Sequence, residues 1–468
     1  MKIRNLLLSG ILGILAAGTA GAQTTVYISG APAVRAYVSQ AIADVLTSST
    51  SGAITWAYSN GTTTATEANA LAKANALIFY GGNVLVNGSN VPITVSVTYV
   101  GSSSGIQDVA SSSQANFLSI GDTAAGSANG GYPDPTASGA AHQDVEYPLF
   151  TASDEFQQST PWYGTNTLTG TTATYVQLQS DVAGIIPYRF VASPDAPSYL
   201  TNISVQQAKQ LWQSGFVWLN NLTGTSSDSS TAVYALGRNP GSGLRTVLLS
   251  ETGIGVETSV KQFQPTVTGT GGGSQPYVAT KQVIWPADNV NGVAIGVGDS
   301  GYSSFSAETS AVEAYTTSHS GSIIGNGYAN DPAVGATGGI YVTALADSDA
   351  QTAIKGGAHE LSYNGFYLAG APYTGTGSTG LLQSGSASTA LANGQYTFWS
   401  YIQLQYQPGL ATATLSNTLG SNLQQQAAYA FEQLLYTKLR NTDAAVLLNT
   451  VNVNRSSDGG TITNGQPY

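Results

Sequence analysis

Residues 236–246 read Leu-Gly-Arg-Asn-Pro-Gly-Ser-Gly-Leu-Arg-Thr and carry the most informative chemistry in the chain. A β-type run from Thr231 to Leu236 stops at Gly237. Arg238, a Pro-Gly turn and the pair Ser242-Gly243 follow, and 244–251 has the composition of a helix. A strand that feeds a helix through a Gly/Ser turn aims free N–H groups and the positive end of the helix dipole at one spot, which suits an anion. Arg238 adds a planar fork of charged donors matched to oxyanion geometry.

Two upstream segments repeat the pattern. Val26-Tyr-Ile-Ser-Gly-Ala31 is a strand ending in a Gly-Ala turn. The helix predicted over Ala33–Leu46 has apolar pairs at 33/34, 37/38, 41/42 and 45/46, with Pro32 at its first turn. Ile93–Val100 alternates with period two, then enters Gly101-Ser102-Ser103-Ser104-Gly105 and a short helical run, Ile106–Ala110. Another apolar stretch, Phe117-Leu-Ser-Ile-Gly, closes on Asp122. The expected site is therefore three strand–turn–helix anion cradles, one arginine and one carboxylate.

In this order the motifs resemble the periplasmic phosphate-binding proteins of phosphate ABC importers. The resemblance rests on the Gly30-Ala31 turn, on Tyr-x-Gly-Ser-Ser-x-Gly-hydrophobic from Tyr99 to Ile106, and on hydrophobic-Gly-Asp ending at Asp122. It continues through a crossover strand at 184–192, the segment Asn202-Ile-Ser-Val-Gln-Gln-Ala-Lys-Gln-Leu-Trp212, the Arg-x-x-x-Ser-Gly turn at 238–243, and a late strand at 394–404. It implies a type 2 periplasmic-binding-protein fold of class α/β, two lobes each with a mixed sheet flanked by helices, here with long loop insertions. Ser102 would bind the ligand by side chain and backbone, and Arg238 would supply charged donors. Ser242 and Gly243 would add a hydroxyl and an N–H, and Ala31 and Ser103 would complete the set from the other turns. Asp122 would accept a proton from the ligand. A carboxylate repels an anion that has no proton to donate, so it would admit protonated phosphate and reject sulfate.

Two positions depart from the family pattern. Pro32-Ala33 replaces a hydroxyl-bearing pair after the first turn, and Leu244 replaces a threonine after Ser-Gly. Each lost hydrogen bond to a charged group costs about 1.5–3 kcal/mol, which Arg35 or Arg245 would have to offset.

Composition sets the compartment. Residues 1–22 have a basic start, an apolar run from Leu6 to Ala17 and a small-residue cleavage site at Ala20-Gly-Ala22, the pattern of a secretory signal peptide. No other segment is long and apolar enough to insert in a membrane. The expected location is the periplasm, or the cell surface and exterior. There is no cysteine, hence no lipobox, disulfide or thiolate. Acidic residues number 25 against 14 basic, for a net charge of −11, which argues against nucleic acid as a partner. Histidines 142, 319 and 359 lack metal-ligand spacing, so neither metal nor cofactor is expected, and no nucleophile–base pair marks an enzyme. The implied partners are inorganic phosphate or a related oxyanion and an ABC permease.

The expected division is a signal peptide at 1–22, lobe one at 23–185 plus 346–468, and lobe two at 186–345. The run from Leu415 to Arg440 should pack on lobe one through Leu419, Leu423, Ala427, Phe431, Leu434 and Leu435. Only 8% of residues are charged, against about 25% in ordinary domains. That composition also fits a surface or extracellular structural protein that retains the binding fold without tight phosphate binding, the competing reading.

Overall fold

Ile93, Val95 and Val97 on one face of a strand and Thr94, Ser96 and Thr98 on the other are all buried, so that strand is covered from both sides. In the computed structural model, Ser89–Thr98 lies parallel to Thr24–Gly30, which is parallel in turn to Phe150–Ser153. The structure describes residues 23–49, 54–59, 66–123, 129–135, 142–168, 170–271, 276–316, 339–412 and 422–465. The signal peptide read over 1–22 lies outside the described residues. The fold is α/β, with a mixed sheet of 13 strands flanked by helices.

The strand Gln179–Ala192 divides the sheet in two. Its first part, to Pro187, pairs antiparallel with Trp399–Tyr406, beyond which lie Phe150–Ser153, Thr24–Gly30, Ser89–Thr98, Ala76–Val86 and Thr55–Ser59. Its last part, Tyr188–Ala192, pairs with Gly339–Ala346, which continues to Ala232–Ala235 and Phe216–Trp218. The chain also returns on the other side of this last part: His359–Tyr363 pairs with Phe190–Ala192 and with Asn202–Ile203. Strand pairing sets 359–363 beside the last part of Gln179–Ala192, and the chain returns to the first part at Trp399–Tyr406. Aromatic side chains fill this joint, with Phe190 stacked on Phe398 (centroids 4.6 Å apart) and close to Tyr363 and Trp212.

Helices form where the apolar period predicts them, with shifted ends. Arg35–Ser49 buries Val38, Ala41, Ile42, Val45 and Leu46, while Pro32 and Ala33 stay in the preceding turn. Asn422–Lys438 buries Ala427, Phe431 and Leu435 and reaches the first section through Gln424 Nε2, which donates to Thr25 O at 2.7 Å, and through Lys438 Nζ, 3.0 Å from Asp44. Leu419 lies outside the described residues, and Leu423 and Leu434 are exposed rather than buried. At about 100° per residue those two leucines fall together at the edge of the arc holding 427, 431 and 435.

One ion cluster fastens the second section to the dividing strand. Arg189 is fully buried, its Nε donating to Asp347 Oδ1 at 2.5 Å and its Nη1 to Glu360 Oε1 at 2.6 Å. Removing the cation leaves two carboxylates uncompensated in a dry interior. Arg189→Met is expected to lower unfolding stability by about 3–5 kcal/mol, read from the urea midpoint. A change within experimental scatter would show that the cluster does not hold this joint.

Candidate functional site

The turns singled out by sequence meet at the carboxyl ends of three neighbouring parallel strands, the usual place for a ligand in an α/β sheet. Gly101 N–H donates to Gly30 O at 3.2 Å, which joins the first two turns. Gly101 has φ +134°, a conformation that favours glycine, and starts the helix Ser102–Ala110. A Cβ on Gly101 would collide with the carbonyl of Gly241, so the 239–241 turn of the second section lies directly against the first. Ser104 Oγ and Gln107 Nε2 reinforce the contact through Asn291, at 2.9 and 3.3 Å.

At the centre stands Asp154, just beyond Phe150–Ser153. Its N–H donates to Ser102 Oγ at 2.9 Å, Tyr188 OH donates to its Oδ2 at 2.8 Å, and Ser400 Oγ donates to its carbonyl at 2.6 Å. Both strands that cross between the sections thus hold this residue. Gly243, at the start of the helix Gly243–Glu251, packs on it so closely that a Cβ would collide with Oδ1 and lie 2.9 Å from Ser102 Cβ. Oδ1 itself is buried without a hydrogen-bond partner among the described residues. Burial raises the Asp154 pKa above the ordinary carboxylate value; hydrogen bonds from Tyr188 and Ser102 and the charge of Arg238 oppose this without cancelling it.

The other expected residues are distributed as follows. Ser102 and Gly243 touch Asp154. Ser103 Oγ donates to Glu155 Oε1 at 2.5 Å, and Glu155 is itself buried, its pKa pushed well up by desolvation. Ser242 is buried at the turn, but its side chain does not cap the helix. Arg238 is buried, with Nε and Nη2 each donating at 2.9 Å to the carbonyls of Tyr302 and Ser303 and its guanidinium stacked on Phe305. Only Nη1 is uncommitted, and Glu308 Oε2 is 3.9 Å from Nε. Ala31 is buried nearby, but its N–H is spent on Ala152 O at 2.8 Å. Arg35 and Arg245 do not make up missing donors: Arg35 serves Ala72 O and Asn75, and Arg245 is tied to Asp299.

Asp122 lies apart from the junction. It is 54% exposed and faces His142 Nδ1 at 3.4 Å. Among the described residues the strand before it, Ala115–Leu118, pairs with Gln143–Glu146 alone, in a separate two-stranded ribbon, so its end does not reach the junction. Asp154 closes the strand that does. A β-type run ending on an acid is also present at Leu149-Phe-Thr-Ala-Ser-Asp154, though two of its residues are hydroxyl-bearing.

Beside the junction Ser103, Pro240, Arg245 and Thr246 line part of a cavity of about 360 Å³ between the two sections. Among the described residues no cluster of three His, Cys, Asp or Glu side chains is placed to hold a metal ion, and no helix is long and apolar enough to cross a membrane.

No protein-family model matches the chain, and no curated protein matches it. Among solved structures it is similar to a protein described as a phosphate ABC transporter substrate-binding protein with bound phosphate, from Clostridium perfringens. The identity is 9% and the TM-score 0.35, over 88% of this chain and 97% of that one. It is also similar to a protein described as phosphate-binding from Planctomyces limnophilus, with 9% identity and a TM-score of 0.31, over 89% and 99% of the two chains.

Burial dominates the acids around the junction. Glu308 is pushed up to about 8, against Arg238 and the Thr343 hydroxyl, and Asp458, which accepts from Phe156 N–H at 2.8 Å, to about 7. Each folded value exceeds the unfolded one, so the folded state binds more protons in between, and stability falls as pH rises from about 4 to 8. Glu308→Gln should flatten that fall, gaining stability at pH 8 relative to the native chain but not at pH 4. Urea unfolding across this range checks it, and parallel curves for both proteins would contradict it.

Proposed function

We propose that this chain is an extracytoplasmic solute-binding protein that holds a protonated tetrahedral oxyanion, phosphate or an analogue, between its two sections for delivery to an ABC permease. One observation carries the reading. The Ser102 hydroxyl, the N-terminus of Gly243–Glu251 and a buried carboxyl oxygen without a partner converge where two strand–turn–helix units from opposite sections face each other. Helix N-termini attract the anion's charge, and Arg238 sets a positive charge behind them. Asp154 takes the role first assigned to Asp122: ionised, it accepts a hydrogen bond from an anion that still carries a proton and repels one that does not. Ser102, Gly243 and Ser242 are the donors, and Ser103 positions the turn through Glu155.

The reading requires the sections to part on loading, since Asp154 Oδ1 now lies against Gly243. Parting is resisted at the other end of the same helix, where Glu251 meets Arg455 Nη1 at 3.3 Å and also bonds Thr397. That tight closure favours a second reading, a surface structural protein in which the Asp154 carboxyl permanently occupies the cradle in place of a ligand.

Titration calorimetry with phosphate and with sulfate, at pH 5 and pH 8, separates the two. The binding-protein reading expects heat from phosphate and none from sulfate. Asp154→Asn should weaken phosphate about tenfold or more, as for loss of a hydrogen bond to a charged group, and admit sulfate. Silence toward both anions in a folded protein would overturn the first reading in favour of the second.

A further inference from the structure

A second cavity, of about 550 Å³, lies on the first section and shares no side chain with the junction just described. Its wall includes the strand pair Gln179–Ala192 and Trp399–Tyr406, on the side where Gln403 and Gln405 project from alternate positions of one strand. Five glutamines, Gln157, Gln158, Gln177, Gln403 and Gln405, line it with Tyr163 and Tyr436, and Gln405 spends its Nε2 on Ser153 Oγ and Glu155 O.

Gln403 points to an occupant. It is 1% exposed, and Ser180 Oγ donates to its Oε1 at 2.7 Å, yet its Nε2 is buried with no hydrogen-bond partner among the described residues. A buried amide with both donors unmet is costly unless something polar comes to it. Gln157, on the same wall, shows the contrast: both its atoms are satisfied, by Trp162 O, Val176 O and Leu178 N–H. At the mouth Tyr163 is 41% exposed, a large aromatic face turned to solvent.

The charges balance. Asp181 and Arg440 contribute one of each sign. The Asp181 carboxylate is engaged by Tyr406 OH at 3.1 Å and Gln433 Nε2 at 3.0 Å, and Arg440 Nη1 donates to Tyr436 OH at 2.6 Å. A net ionic ligand would find no opposite excess charge. Amides both donate and accept, as hydroxyl groups do, and tyrosine rings offer flat apolar faces to C–H surfaces. The volume falls in the usual range for small-molecule sites. We propose that this cavity is a binding site for a neutral, hydroxyl-rich ligand, a mono- or disaccharide, with Gln403 reading a hydroxyl and Tyr163 stacking on a sugar ring.

The test is calorimetric titration of the full chain with maltose, cellobiose and trehalose at millimolar concentration, beside glucuronate and glucosamine as charged controls. At least one neutral disaccharide should bind one per chain, more tightly than either control, and lose about tenfold or more in affinity in Tyr163→Ala. Gln403→Met should lose the response. Because Gln403 is buried and its replacement risks the fold, the exposed Tyr163 variant decides the matter independently. No heat from any of the three neutral sugars, or binding untouched by Tyr163→Ala, overturns the proposal. Neither outcome depends on how the junction behaves toward phosphate.

Discussion

The hydrogen bond from Tyr188 to Asp154 ties together parts of the chain that are otherwise independent. Tyr188 belongs to the strand that leaves the first section, and Ser400, which holds the Asp154 carbonyl and contacts the same tyrosine hydroxyl at 2.9 Å, belongs to the strand that returns. Asp154 itself ends a central strand, Ser102 begins one helix and Gly243 begins another. A side chain at Gly243 would force these apart, so the smallest residue is required by the approach of a carboxyl, not by backbone conformation. The helix Gly243–Glu251 is fixed at both ends, by Asp154 at its start and by Arg455 and Thr397 at its close. Any motion between the sections must pass through these contacts.

The scarcity of charge on this chain has a structural counterpart. Arg35, Arg189, Arg238, Arg245 and Arg455 are all buried, each committed to carbonyls or carboxylates or stacked on an aromatic ring. Few cations are left for the surface, which is therefore acidic and repels a free anion at long range. In the proposed binding reading, attraction to an oxyanion has to come from short-range groups at the junction, where desolvation strengthens each dipole and charge. The same desolvation raises the pKa values of Asp154, Glu155, Glu308 and Asp458, so the interior tolerates acidic surroundings better than alkaline ones. A polar surface of Ser, Thr, Asn and Gln loses little when exposed carboxylates are protonated.

Local pattern made much of this legible. Helices expected over 33–46, 106–110 and 244–251 appear as Arg35–Ser49, Ser102–Ala110 and Gly243–Glu251, and the strand expected over 93–100 as Ser89–Thr98, because each signal is written within one element. The turns at Gly101-Ser102 and Ser242-Gly243 were recognisable as strand-to-helix turns for the same reason. Local signals pointed to Asp122, which follows the more apolar run Phe117-Leu-Ser-Ile-Gly, rather than to Asp154 after Phe150-Thr-Ala-Ser. What separates them is pairing at long range: Ile28 opposite Phe150 and Gly30 opposite Ala152 bring one acid to the junction, while the other ends a peripheral ribbon. The placement of 359–363 beside the last part of Gln179–Ala192 has the same origin, and so does the unmet amide of Gln403, which appears only when Val182 and Ser153 flank it in the sheet.

The most direct measurement is a crystal structure grown with arsenate, a tetrahedral oxyanion whose anomalous signal locates it without ambiguity. The expected result is one peak at the junction, within hydrogen-bond reach of the Ser102 hydroxyl, the Gly243 N–H and the Asp154 carboxyl, with the carboxyl withdrawn from Gly243. A structure with no such peak, and with Asp154 still pressed against Gly243, would contradict the assignment of this junction as an oxyanion site.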